Sequence, residues 1–141
     1  MQCSLARRFT SLVLAAGFLI ILTACGATSG AATLNRQEQT VEGVTIALQT
    51  AAAPRMNDAQ QLVVTLTDSQ GMPLEGADVY LDLDMPAMSM GTNRPILSPG
   101  ADGTYRGQTA FTMSGEWTVT VVVDINGQER RATFTVAVQE R

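Results

Sequence analysis

From Val44 onward the sequence repeats one device, a short run in which every second residue is apolar, followed by a cluster of turn formers. In VTIALQ the apolar positions are Val44, Ile46 and Leu48, and in QLVVTLTD they are Leu62, Val64 and Leu66. ADVYLDLD sets Val79, Leu81 and Leu83 against Tyr80, Asp82 and Asp84 on the other parity. Tyr105, Phe111 and Met113 share a parity in GTYRGQTAFTM, Trp117, Val119, Val121 and Val123 in EWTVTVVVD, and Ala132, Phe134, Val136 and Val138 in RATFTVAV. Successive strand side chains point to opposite faces, so a period of two marks strands with one buried face. The clusters DSQGMPLEG, SPGADG, MSGE and INGQ supply turns, and Asn126–Gly127 is the strongest hairpin signal in the chain. A helical period of 3.6 occurs nowhere outside the N-terminal segment. Six clear strands and a short one near 94–97 predict an all-β chain, an immunoglobulin-like antiparallel β-sandwich of about seven strands. A small barrel is the alternative that the same pattern admits.

The N-terminus has a different character. Arg7 and Arg8 precede the apolar run Ser11 to Leu22, which leads into LTAC at Leu22 to Cys25. About a dozen apolar residues fall short of the roughly 20 that span a bilayer, and the small residues after them suit cleavage. The pattern resembles the bacterial lipoprotein signal, in which the cysteine is acylated and becomes the first mature residue. Residues 1–24 are therefore expected to be a signal peptide, Cys25 the lipidated residue, 25–40 a flexible polar tether, and 41–141 the folded domain. Two or three acyl chains give stable anchoring where one does not. The expected location is outside the cytoplasm, on the cell membrane or an outer membrane, periplasmic or at the cell surface.

This processing removes Cys3 and uses Cys25, so the mature domain has no thiol for a disulfide, a zinc–thiolate site or a nucleophile. The chain also lacks histidine and lysine. Without Arg7 and Arg8, seven arginines face thirteen carboxylates, a net charge of about −6 that excludes a nucleic-acid footprint. A catalytic base would have to be a carboxylate, and none lies in an apolar setting that would raise its pKa, so no enzymatic activity is expected. The five aromatic residues left after signal removal, most on core parity, disfavour a carbohydrate platform.

What stands out in so plain a composition is LDLDMPAMSMG, with Met85, Met88 and Met90 within six positions. Met85 continues the buried series of Val79, Leu81 and Leu83. Pro86 removes a backbone donor and ends central pairing, which makes Ala87 to Gly91 an exposed or edge loop. Thioethers are soft donors that select copper(I) and need no deprotonation. Met113, just before Ser114–Gly115, is a candidate additional donor, with Trp117 and Tyr105 packing behind the methionines as an apolar wall. Methionine is also a common core filler and a good docking surface. Asp82 and Asp84 read as solubilising groups, Trp117 as a core residue, and Gly103 and Gly115 as residues that meet turn geometry.

MPAMSM, followed by GTYRGQTAFTMSGEWTVTVVV, resembles the YtkA-like domain. The matching positions are Met85, Pro86, Met88 and Met90, then Gly103 and Tyr105, then Met113, Gly115 and Trp117, and the resemblance runs from about Val44 to Val138. It implies an immunoglobulin-like fold and an association with copper handling, through a copper transporter, an oxidase-assembly system or an efflux component. Members often carry histidine near the methionine loop; this chain has none, which leaves a methionine-only copper(I) site. The expected function is a membrane-anchored copper(I) metallochaperone or buffer. The alternative is a structural or interaction module whose methionine loop docks on a membrane protein.

Overall fold

The computed structural model describes residues 33–88, 91 and 93–141; the expected signal peptide, Cys25, most of the tether and Met90 lie outside them. The described residues form eight strands: β1 (Leu34–Val41), β2 (Val44–Ala51), β3 (Ala59–Thr67), β4 (Asp78–Asp84), β5 (Ser98–Pro99), β6 (Thr104–Ala110), β7 (Gly115–Ile125) and β8 (Gln128–Val138). They divide into a five-stranded sheet, β1-β2-β3-β6-β5, and a three-stranded sheet, β4-β7-β8, all pairs antiparallel. The protein is thus a β-sandwich.

The alternation predicts β2, β3, β4, β6, β7 and β8, and the residues of its apolar parity are the buried ones. Ile46, Leu62, Val64, Leu66, Leu81, Val119, Val121 and Val123 have no accessible surface. Trp117 and Phe111 pack inside with ring centroids 5.2 Å apart and planes tilted by 59°. Burying each such large side chain is worth about 1.5–3 kcal/mol. Val122 breaks the pattern, since it faces outward and is still buried. Its direct neighbours are Tyr80 on β4 and Arg131 on β8.

Two expectations need correction. The sequence pattern extends the tether through residue 40, but Leu34 to Val41 is β1, paired along its whole length with β2. An edge strand with almost no buried face has no reason to alternate, and most of LNRQEQTV is exposed. Glu42 and Gly43 both have positive φ, 50° and 79°, and close the β1–β2 hairpin as Asn126 and Gly127 (56° and 80°) close β7–β8. The second correction concerns the short strand near 94–97. That segment runs beside β4 through isolated bridges at Asn93 and Ile96, and the short strand β5 follows at Ser98–Pro99 on the opposite sheet. Pro95 and Pro99 each lack an N–H, so neither sheet can extend a regular ladder through this crossover.

The sandwich manages its edges with side chains. Gln37 and Gln39 of β1 donate to the carbonyls of Thr135 and Thr133 on β8, at 2.9 and 2.7 Å. The Thr133 N–H in turn donates to the Gln39 side-chain oxygen at 3.3 Å. Glutamine amides thereby occupy backbone groups of β8 that would otherwise invite another strand.

Strand direction gives the sandwich two distinct ends. One carries the turns at 42–43, 68–77, 100–103 and 126–127. There the buried Tyr105 hydroxyl donates to Leu74 O and accepts from the Ala77 N–H, both at 3.1 Å. Gly103, at φ +66°, makes room for this loop: a Cβ would stand 2.5 Å from Leu66 O and 2.9 Å from Leu74 N. The opposite end carries the loops at 52–58 and 111–114, the segment after β4, the start of β1 and the finish of β8.

Candidate functional site

The second end gathers the methionines. β4 stops at Asp84, and Met85 takes the next inward position, 7% exposed. Its methyl group lies over Gly115, where a Cβ would be 2.7 Å from Met85 Cε. Gly115, at φ +124°, therefore supplies both a backbone conformation that other residues rarely adopt and the space that Met85 fills. Pro86 and Ala87 lead into a turn in which the Met88 N–H donates to Met85 O at 2.9 Å. Met88 itself is 55% exposed.

Met113 reaches the same end from the β6–β7 connection. It is half-buried against the core, and its carbonyl accepts the indole N–H of Trp117 at 3.0 Å. That bond anchors the backbone of Met113 to the most buried aromatic side chain of β7. Trp117 is buried at the same end. Tyr105, expected there too, is not: near the start of β6, it reaches the 68–77 loop at the other end, because its hydroxyl finds its partners in Leu74 and Ala77.

A further methionine, Met56, joins them from the β2–β3 loop. Its N–H donates to Gln139 O at 3.0 Å, the Gln139 N–H donates to Pro54 O at 2.8 Å, and the Asn57 N–H donates to Phe111 O at 2.7 Å. These bonds bind the 52–58 loop to the finish of β8 and to the residue two before Met113. The Met56 side chain is half-buried against the core. Sequence reasoning missed it because it stands alone in PRMND. The signal was its place in a turn-rich connection otherwise free of large apolar residues. Met72 lies in the 68–77 loop at the far end, 59% exposed.

Carboxylates flank the methionines singly, Asp84 before Met85, Asp58 two after Met56 and Glu116 after Gly115, and Asp58 is paired with Arg141 at 3.8 Å. Among the described residues no three histidine, cysteine, aspartate or glutamate side chains come together as a metal site. Asp82, on the outer face of β4, is paired with Arg94 at 3.1 Å. That hydrogen bond, followed by the charge of Asp82, raises the pKa of the Arg94 guanidinium further above its usual value. A depression of about 260 Å³ lies on the outside of the five-stranded sheet among Leu34, Gln49, Ala51, Gln60, Gln61 and Val63. It presents amides and hydrocarbon, with no group suited to acid–base chemistry.

The described residues thus define a small eight-stranded β-sandwich with methionines at one of its ends. A family model, YtkA-like, matches residues 38–122, and the chain belongs to that family. The match begins within β1 and ends within β7, so β8 lies beyond it. Comparison with curated proteins and with solved structures returned no match. The positions that carry the resemblance have physical roles here. Gly103 and Tyr105 fix the loop at one end, while Met85, Gly115, Met113 and Trp117 interlock at the other.

Proposed function

We propose that the chain is an extracytoplasmic lipoprotein, anchored through acylated Cys25, whose sandwich takes copper(I) as cargo at its methionine end. The observation that carries this reading is the placement of Met56, Met85, Met88 and Met113, from three separate connections, at one end of the fold. Met90, close behind Met88 in sequence, would add a further sulfur. Soft neutral donors without imidazole, thiolate or clustered carboxylate suit copper(I), accept silver(I) equally well, and discriminate against zinc, calcium and copper(II). Their affinity changes little with pH, since no donor must lose a proton to bind.

The site is graded from inside to outside. Met85 is held by its contact with Gly115, Met56 and Met113 are half-buried, and Met88 is open to solvent. An incoming metal would meet Met88 first and exchange through it, which suits a chaperone or a buffer. A copper transporter, an oxidase-assembly factor or an efflux component would be the partner. The proposal includes no catalytic activity.

The test is a copper(I) titration of residues 26–141 against a chromogenic chelator, under reducing anaerobic conditions, beside a Met88→Leu/Met90→Leu variant. Leucine nearly conserves volume, so the fold should survive. Uptake of about one equivalent by the native domain and loss of competition by the variant would support the site. The exposure of Met88 also favours a second reading, in which this end docks on a membrane protein without metal. Failure of both proteins to compete with the chelator would favour that reading.

A further inference from the structure

β1 changes where the domain is attached to whatever precedes it. Had the fold begun at β2, the preceding chain would enter at Val44, at the end with the 42–43 and 126–127 turns. β1 instead runs the full length of the sheet and begins at Leu34, opposite Ala51, with the Ala52 N–H donating to Thr33 O at 2.8 Å. That is the entrance to the 52–58 loop, which carries Met56. The point of attachment and the methionines therefore share one end of the sandwich.

The chain between Cys25 and Leu34 is Gly26 to Thr33, eight residues. Whatever their conformation, they reach at most about 30 Å. β7, with 11 residues, is itself about 35 Å long. So short a connection cannot let the domain turn end over end freely at a surface to which Cys25 is fixed.

We infer that the methionine end is the membrane-proximal end of the domain, facing the lipid headgroups to which the acylated Cys25 holds it. The inference rests on the lipid anchor of the proposed function and does not depend on the metal. Its consequence is directional: a partner that exchanges cargo with Met88 must sit in the same membrane and present its own site near the bilayer surface. A soluble partner approaching from the aqueous side would meet the opposite end, with Met72 and the hairpin turns.

The mature chain has no free thiol once Cys25 is acylated, so one introduced cysteine gives one label. Ala53→Cys marks the methionine end and Ser69→Cys the other; both positions are exposed. Each full-length, lipid-bearing protein is dye-labelled and reconstituted in vesicles carrying a headgroup acceptor, and energy transfer is measured without copper. The expected result is transfer at least about twofold greater from position 53 than from position 69, since the ends are separated by roughly 30 Å. Insertion of about twenty Gly/Ser residues after Gly30 should largely abolish the difference, since chain reach grows with linker length. Equal transfer from the two positions, or greater transfer from position 69, would overturn the inference. Failure of the protein to float with vesicles, with dye instead attached at Cys25, would overturn the lipid anchor and this inference together. Copper binding by residues 26–141 would be unaffected by either outcome.

Discussion

Gly103 and Gly127 form a natural pair for separating backbone strain from packing. Both have positive φ, +66° and +80°, so an alanine at either position carries the left-handed penalty of about 1–2 kcal/mol. Their surroundings differ completely. Nothing lies within 4 Å of a Cβ built at Gly127, whereas at Gly103 it would meet Leu66 O at 2.5 Å, Leu74 N at 2.9 Å and Leu74 O at 3.2 Å. Those are backbone atoms, already engaged: the Leu66 N–H donates to Gly103 O at 2.8 Å and the Leu74 N–H to Leu66 O at 3.0 Å. Relieving the clash means loosening both bonds, each worth about 0.5–1.5 kcal/mol net. Gly103→Ala should therefore cost about 2–5 kcal/mol and Gly127→Ala about 1–2 kcal/mol. Against the total of about 5–15 kcal/mol usual for a domain, the first is a severe loss and the second is mild. Urea unfolding of residues 26–141, followed by tryptophan fluorescence, reads both through Trp117. Equal costs for the two variants would refute the close crossing of the 68–77 loop over Gly103.

The remaining predictions concern the methionine end and the sheet edge. Gly115→Ala adds strain at φ +124° and drives a Cβ against the Met85 methyl, so it should destabilise by about 1–3 kcal/mol. It should also weaken copper(I) competition, which Met85→Leu on its own would weaken without the backbone cost. Gln37→Ala/Gln39→Ala removes the amides from the edge of β8. Being exposed bonds, they should cost only about 1 kcal/mol of unfolding free energy, while sedimentation should show concentration-dependent self-association through the bared edge.

The strands that bury one face were legible in the sequence, because water enforces alternation wherever one side is dry. Val122 shows the limit of that rule, since this outward residue, opposite Tyr80 on one side and Arg131 on the other, is buried all the same. β1 was illegible for the converse reason. With both faces mostly wet, it owes its place to the hairpin at Glu42–Gly43 and to Gln37 and Gln39, which bond to a strand nearly a hundred residues away. The inward place of Met85 could be read by continuing the parity of β4, and the Met113–Trp117 neighbourhood from proximity in sequence. Met56 could not, because hydrogen bonds to Gln139 and Phe111, distant in the chain, bring its loop to the site. Tyr105 was misplaced because parity assigns a face of the sheet and says nothing about which end a long side chain reaches.

If thioethers from separate connections form one copper(I) centre, X-ray absorption at the copper edge will show it. Residues 26–141 loaded with one equivalent of copper(I) should show a cuprous edge and a first shell made of sulfur alone, with three or four scatterers. Met56→Leu, in a loop that sequence proximity would never have linked to Met88, should remove sulfur from that shell. A shell dominated by nitrogen or oxygen, or one unchanged by Met56→Leu and by Met85→Leu alike, would rule out a shared thioether centre.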